Sequence, residues 1–296
     1  MAVLELKQVS KVYYGHSVLK NACFRVDQGE IHGILGVSGS GKTTIVRLMS
    51  GNVLPDQGAV FYHDKPTEWR SPLDAINSGI STVLKSYDLI DNLTVAENVY
   101  IYGYVYKQKA LKRFSLARMA AFTDSIFNEL GFSIDPYQYV SELSIAEKRM
   151  VKVAAAVGRN PEILILDDPF VLLTNEQISL FINLFKYLRD RGMTIIFTTG
   201  HIEATLSICD RVTVIKEGLT SSYDDIGAKN TNFFVRAMSD TASYSYPRIS
   251  NKGHREALSL SQLATVDRGI QNISFKLYDG EILGVAGAPG SGKSTL

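Results

Sequence analysis

One glycine-rich loop is written twice in this chain. The first copy reads Gly36-Val-Ser-Gly39-Ser-Gly41-Lys42-Thr43 and the second Gly287-Ala-Pro-Gly290-Ser-Gly292-Lys293-Ser294. The approaches match as well: Phe24-Arg-Val-Asp-Gln-Gly-Glu-Ile-His-Gly33 and Phe275-Lys-Leu-Tyr-Asp-Gly-Glu-Ile-Leu-Gly284 share Phe, Gly, Glu, Ile and Gly at one constant offset. Each copy follows an apolar, strand-like run, and a helix is expected after it. Such a loop turns only between a strand and a helix, so the repeat predicts one complete α/β domain and the opening strands of a second. The expected boundaries are 1–225 for the first domain, 226–250 for a linker and 251–296 for the start of the second, cut within the first turn of its helix.

The 296 residues allow about two domains, and 45% apolar residues suffice for a sizeable core in the first. Thirty-one basic residues against 30 acidic give a net charge of +1, with no block of like charges, so composition offers no case for nucleic acid. Cys23 and Cys209 lie far apart in apolar surroundings and read as reduced, buried thiols of a cytosolic protein. Runs such as Ile163-Leu-Ile-Leu166 are too short to span a bilayer, and the N-terminus has no secretory pattern. A membrane role would have to come through a partner.

Strand-like and helix-like stretches alternate along the first domain, which predicts a largely parallel sheet. Residues 2–9 and 18–35 are strand-like, and a helix is expected from Gly41 or Lys42 to Gly51. Ser144 to Val157 reads as a second helix, Ile163–Asp167 as a buried strand, and Gln177–Arg191 as an amphipathic helix; Thr194–Thr198 and Arg211–Ile215 are β-branched strands. The stretch from about 86 to 142 has a different, helix-like texture and reads as an insert. Within it Tyr100, Tyr102, Tyr104 and Tyr106 recur with a strand period after the helical-looking Thr94–Val99, and periodicity alone leaves that segment open. Residues 219–256, rich in Ser, Asp, Asn and Tyr, read as a linker or poorly packed tail.

The first loop carries specific chemistry. Glycines at 36, 39 and 41 let successive N–H groups of Gly36, Val37, Ser38, Gly39, Ser40, Gly41, Lys42, Thr43 and Thr44 turn toward phosphate oxygens, and the next helix presents its positive end to the same anion. Lys42 supplies a point charge to β- and γ-phosphates, and the Thr43 hydroxyl suits Mg²⁺. Asp167 ends a buried apolar strand, where a carboxylate needs a reason to be. Near the loop it would serve the same Mg²⁺; otherwise it caps the next turn.

With these residues in place the chain resembles the ATPase subunits of ABC transporters along its whole length. Ser141-Glu-Leu-Ser144-Ile145-Ala146-Glu147 stands where the family signature (commonly LSGGQ) falls, and Ile163–Pro169 where the Walker B strand falls. Ile208–Gly218 is similar to the strand and turn that close such domains. The most similar subgroup is the tandem-ATPase type serving importers of monosaccharides and related ribosides. LSIA-type signatures, Asn92–Asn98, the helix at Met150-Val-Lys-Val-Ala-Ala155 and the GEILGVAG of the second repeat are familiar there.

The resemblance implies an α/β P-loop NTPase of RecA-like type, with an antiparallel β subdomain and an inserted helical subdomain at about 86–150. It implies two ATP molecules, each closed between one domain's phosphate loop and the other's signature helix. Ser144, Ile145, Ala146 and Glu147 would then contact nucleotide, as would Gly287, Gly290, Ser291, Gly292, Lys293 and Ser294 of the second loop. Tyr13 would stack on adenine, although a packing aromatic at that place remains open.

Several departures accompany the matches. The family's general base is usually Glu after the Walker B Asp; here it is Asp168, one methylene shorter. A displacement of about 1 Å at that atom costs ~10²-fold in rate. The γ-phosphate-sensing Gln corresponds to Lys85, and the switch His aligns with Gly200, leaving His201 one residue late, either a displaced switch or an ordinary surface residue. Glu147 places a negative charge at a helix N-terminus, and Phe170–Thr174 is bulkier than the small-residue turn of the family. Together they predict a first site that binds ATP and hydrolyses it slowly.

The sequence therefore supports an ATP-hydrolysing, energy-coupling subunit of an importer for a monosaccharide or related riboside. It would sit peripherally on the cytoplasmic face of the membrane, docked on membrane-spanning permease subunits through the helical insert and served indirectly by an extracellular solute-binding protein. The alternative is a degenerate ATP-binding half, with turnover mainly at the second domain's site. A soluble tandem protein of ribosomes or DNA fits less well, because 219–256 is neither strongly charged nor helix-patterned.

Overall fold

The computed structural model describes residues 2–67, 69–85, 89–103, 115–239, 253–265, 270–287 and 291–296. The chain divides into two units, Met1–Asp240 and Thr241–Leu296.

The first unit is built on two sheets. Strands β1 (Ala2–Tyr13), β2 (His16–Asp27), β4 (Gln57–Tyr62) and β5 (Lys65–Pro66) form an antiparallel sheet in the order β2-β1-β4-β5. The larger sheet comprises β3 (Ile31–Leu35), β6 (Ile80–Val83), β7 (Ile163–Asp167), β8 (Thr194–Thr199), β9 (Arg211–Lys216) and β10 (Leu219–Tyr223), in the order β10-β9-β3-β8-β7-β6. Its pairings are parallel except for the β9–β10 hairpin at the edge. A parallel strand covered on both faces reads as a continuous apolar run, and β3 and β7 are buried at every position. Successive side chains of β7 serve opposite sides: Ile163 and Ile165 join the core under the antiparallel sheet, Leu164 and Leu166 the core under the helices.

Helices cover this sheet. They are α1 (Lys42–Met49), α2 (Pro72–Asn77), α3 (Val95–Gly103), α4 (Leu116–Leu130), α5 (Ile145–Val157), α6 (Asn175–Asp190), α7 (Ile202–Ile208) and α8 (Thr231–Met238). Both α5 and α6 start at capping boxes, Ser144 with Glu147 and Thr174 with Gln177, in which side chains satisfy N–H groups that a helix start leaves open. The chain between β6 and β7 runs through α3, α4 and α5, whose Val99, Phe127 and Val151 share one core with Phe181, Phe185 and Phe197. No helix among the described residues is long and apolar enough to cross a membrane.

Three expectations change, and the segment that periodicity left open resolves as a helix as far as Gly103. Tyr100 and Tyr102 lie in α3, so the strand-like spacing of tyrosines misleads there; Tyr104 and Tyr106 lie outside the described residues. Cys23 is exposed, because it sits on the outward side of β2. Cys209 is only partly covered as a residue, but its thiol packs against Gly33, and desolvation pushes its pKa up. The segment read as linker or tail instead begins with β10 and contains α8, capped by Asn230. Phe234 of α8 is fully buried against Leu35, Val212, Val214 and Ile226, an anchor hidden in a polar stretch.

The second unit holds an antiparallel hairpin of β11 (Glu256–Leu263) and β12 (Ile273–Tyr278). Residues 281–287 form no strand, although they repeat the approach to the first loop. In the first unit β3 lies between β8 and β9; among the described residues of the second unit nothing pairs with this run, and Ile282 is 98% exposed. An apolar sequence without flanking strands has no burial to hold it extended.

Truncating a fully buried Phe costs about 3–5 kcal/mol. Phe234→Ala is therefore expected to destabilise the first unit by about that amount in denaturant unfolding. An unchanged midpoint would show that α8 is not part of its core.

Candidate functional site

The C-terminal ends of β3, β7 and β8 come together because these strands are parallel and in register: Leu35 stands beside Thr199, and Asp167 beside Thr198. The crevice beyond such ends is where open α/β sheets bind ligands. The loop from Gly36 to Gly41 leaves β3 there and turns into α1. Gly39 and Gly41 have φ of +80° and +110°, and a Cβ on Gly36 would run into Ser40 Oγ and lie 2.8 Å from the Ile215 carbonyl. The turn thus requires glycine for backbone conformation at two places and for close approach at the third.

Lys42 folds back across this loop and donates to the carbonyls of Gly36 (2.6 Å) and Val37 (2.9 Å). Burial lowers its pKa; the Asp168 and Asp167 charges oppose that shift, and Lys85 adds to it. No side chain caps α1 at Gly41, and Ser40 Oγ is buried without a hydrogen-bond partner. Open N–H groups at a helix start and a lysine together form a cradle suited to phosphate oxygens.

Asp167 is buried, and both its oxygens are engaged. Thr43 Oγ1 donates to Oδ2 at 2.9 Å, and Thr198 Oγ1 donates to Oδ1 at 2.7 Å. The hydroxyl and carboxylate that meet here are hard oxygen donors of the kind Mg²⁺ takes. Asp168 has φ of +58°, a left-handed conformation that Asp tolerates better than most residues. Its N–H is held by Thr198, through the backbone carbonyl (3.1 Å) and Oγ1 (3.0 Å). Lys85 Nζ lies 3.7 Å from Asp168 Oδ2, so the two departures from the family pattern face one another. Arg149 of α5 donates to the carbonyls of Asp168 (3.1 Å) and Pro169.

These groups open onto one cleft of about 710 Å³, lined by the loop from Gly36 to Thr44 except Ser40, and by Lys85, Asp167, Asp168, Gly200 and His201. His201 reaches the cleft although it stands one residue late. It is the N-cap of α7, accepting at Nδ1 from the Ala204 N–H (3.3 Å), so its neutral ring carries its proton on Nε2. Tyr13 does not line the cleft: its hydroxyl is buried without a partner, and Lys11 Nζ lies 5.6 Å from the ring centre.

The segment Ser144–Glu147 lies outside the cleft lining as well. Glu147 turns back to accept from the Ser144 N–H (2.8 Å), and Ser144 Oγ accepts from the Glu147 N–H (3.3 Å). The carboxylate that stands out in the sequence as a misplaced charge therefore serves as a helix cap.

In the second unit, Lys293 Nζ donates to the Gly287 carbonyl at 2.7 Å, as Lys42 does to Gly36. Gly292 has φ of +84°, and a Cβ on Gly287 would meet Ser291 Oγ. Ser294 follows in a turn, and Gly290 lies outside the described residues. Sequence reading missed Thr198, Arg149, Val18 and Met238, all of which hold or line the first site. Thr198 carries a weak signal, a hydroxyl in a buried strand; Arg149 and Met238 carry none.

Comparison with known proteins follows the same lines. The family described as ABC transporter matches residues 19–171. A ribose import ATP-binding protein (RbsA 3) of Rhizobium meliloti is 32% identical over 98% of this chain and 57% of its own length. A ribose import ATP-binding protein (RbsA 1) of Rubrobacter xylanophilus is 29% identical over 99% of this chain and 58% of its own length. The chain thus spans little more than half the length of these curated relatives. Among solved structures, the ADP conformation of MJ1267, an ATP-binding cassette of an ABC transporter, superposes with a TM-score of 0.68 at 20% identity, over 77% of this chain and 92% of its own.

Thr198→Val keeps the side-chain shape, removes the donor to Asp167 Oδ1 and leaves the Asp168 N–H with the Thr198 backbone carbonyl alone. Leaving the buried Asp167 oxygen unmatched costs about 1–3 kcal/mol. The variant is expected to lose that much stability in urea; a loss below a few tenths of a kcal/mol would mean that Thr198 does not hold the two aspartates.

Proposed function

The chain belongs to the ABC transporter family, and on that premise we propose that its first unit is an ATP-binding, energy-coupling domain of an importer for a monosaccharide or related riboside. The observation that carries this reading is the 2.9 Å hydrogen bond between Thr43 and Asp167, which joins the phosphate loop to the end of β7 in the cleft that holds Lys42. Loop N–H groups and Lys42 bind the polyphosphate. Thr43 and Asp167 hold Mg²⁺, which when bound neutralises charge developing on the transferred phosphoryl group. Asp168 faces the attacking water, and His201 offers its Nε2–H to the terminal phosphate. Lys85 adds a cation beside them.

The solute class rests on the relatives named for ribose import. Docking to membrane-spanning permease subunits places the protein peripherally on the cytoplasmic face, with a solute-binding protein acting from outside. A groove of about 250 Å³ beside the insert, lined by Leu84, Leu89, Tyr102 and Lys152 among others, supports such docking.

A second reading is favoured by the ion pair of Lys85 with Asp168. The acid is short and already engaged by a cation, so the first site binds ATP and turns it over slowly, while the site built on a second domain's loop carries most hydrolysis. The two readings part in the full-length protein. If the first site drives transport, Lys42→Ala abolishes most ATP hydrolysis. If it is weakened, most of the rate survives Lys42→Ala, and Asp168→Glu raises turnover about tenfold or more. The weakened site is the outcome expected; a rate that Asp168→Glu leaves unchanged or lowers, together with loss in Lys42→Ala, would contradict it.

A further inference from the structure

The Asp168 carboxylate can serve the cleft only if its backbone holds a left-handed conformation at the end of β7. The N–H side of that residue is fixed by Thr198. Its carbonyl side is fixed from another part of the fold altogether. Arg149 stands in the second turn of α5, the helix that leads back from the insert, and spends its donors on two consecutive carbonyls, Asp168 and Pro169. Among the described residues no carboxylate lies within ion-pair distance of it, and burial lowers its pKa while the nearby Asp168 charge opposes the shift. A half-buried guanidinium bound chiefly to carbonyls is unusual, because desolvating it is costly and an acidic partner is the ordinary compensation. Both bonds leave the single nitrogen Nη1, whose two N–H groups diverge toward the two adjacent acceptors.

Lys85 closes the other end. It stands just beyond β6, at the entry to the insert, and reaches Asp168 Oδ2. Arg149, Lys85 and Asp168 together line one small cavity of about 60 Å³. The insert thus touches Asp168 at both of its connections with the sheet, through the carbonyl from α5 and through the carboxylate from the end of β6.

We propose that Arg149 is a positioning residue for Asp168: by gripping the Asp168–Pro169 carbonyls it sets where the Asp168 carboxylate points, and it makes that aim depend on where α5 lies. This rests on the reading of Asp168 as the carboxylate that faces the attacking water. Arg149 touches neither nucleotide nor metal in this account. Its loss shifts the acid without removing any phosphate ligand, so the rate falls and affinity does not. A misplacement of about 1 Å costs up to ~10²-fold in rate.

The test is a double-mutant cycle on the full-length protein carrying Lys293→Ala, which silences the second loop's site and serves as the wild type of the cycle, with first-site ATP turnover and ATP affinity measured separately for Arg149→Ala, Arg149→Lys, Asp168→Asn and the Arg149→Ala/Asp168→Asn double variant. Arg149→Ala is expected to lower kcat by about 10- to 100-fold with affinity within twofold of wild type. It should add nothing in the Asp168→Asn background, and Arg149→Lys should restore part of the rate, since its ammonium still reaches one carbonyl. Should the Ala protein not fold, the Lys protein carries the same cycle and shows a smaller loss of kcat alone. A wild-type kcat in either variant, a loss undiminished by Asp168→Asn, or an equal fall in ATP affinity overturns the proposal. Equal turnover by wild type and Asp168→Asn overturns the parent reading of Asp168 as well, which tells the two failures apart.

Discussion

Asp167 carries the architecture of the site. A carboxylate at the buried end of a strand must have its oxygens satisfied or forfeit several kcal/mol, and here each oxygen takes a hydroxyl from a different element. Thr198 comes from the neighbouring strand β8, and Thr43 from the first turn of α1. The loop between Gly36 and Gly41 is thereby closed at both ends, by the strand it leaves and by the carboxylate it faces. Lys42 folds over the opening. The neighbouring Asp168 inherits its conformation from the same corner, because Thr198 holds its N–H.

Around that corner the site is asymmetric in charge. Lys42 and Lys85 stand on the cleft side with Asp167 and Asp168, and Arg149 stands behind. In the sequence the substitutions at 85, 147, 168 and 200 look like independent losses. The structure sorts them. Glu147 is a helix cap, whereas Lys85 and Asp168 are partners. His201 reaches the cleft from the start of α7, so the Gly200 substitution shifts the position of a histidine without removing it.

What the sequence made legible follows from the range of the forces involved. Local glycine chemistry and continuous apolar runs marked the loop, β3, β7 and β8, because both are written in consecutive residues. The fold of 219–239 was not legible: its buried anchors are Ile226 and Phe234, too far apart in sequence to leave a period in a polar stretch. Arg149 was invisible for a related reason, since a basic residue on a helix says nothing about which carbonyls it meets 19 and 20 residues later. Tyr13, which the resemblance sets beside adenine, is not among the residues that line the cleft. The run at 281–287 shows that a strand-like sequence becomes a strand only when neighbours supply its hydrogen bonds.

The most direct measurement of the central claim is calorimetric titration of this chain with ATP in the presence and absence of Mg²⁺. The account predicts a one-to-one complex, with affinity at least tenfold stronger when Mg²⁺ is present and with that gain lost in Thr43→Val. No heat of binding at millimolar Mg·ATP, or a wild-type affinity indifferent to Mg²⁺, would contradict it.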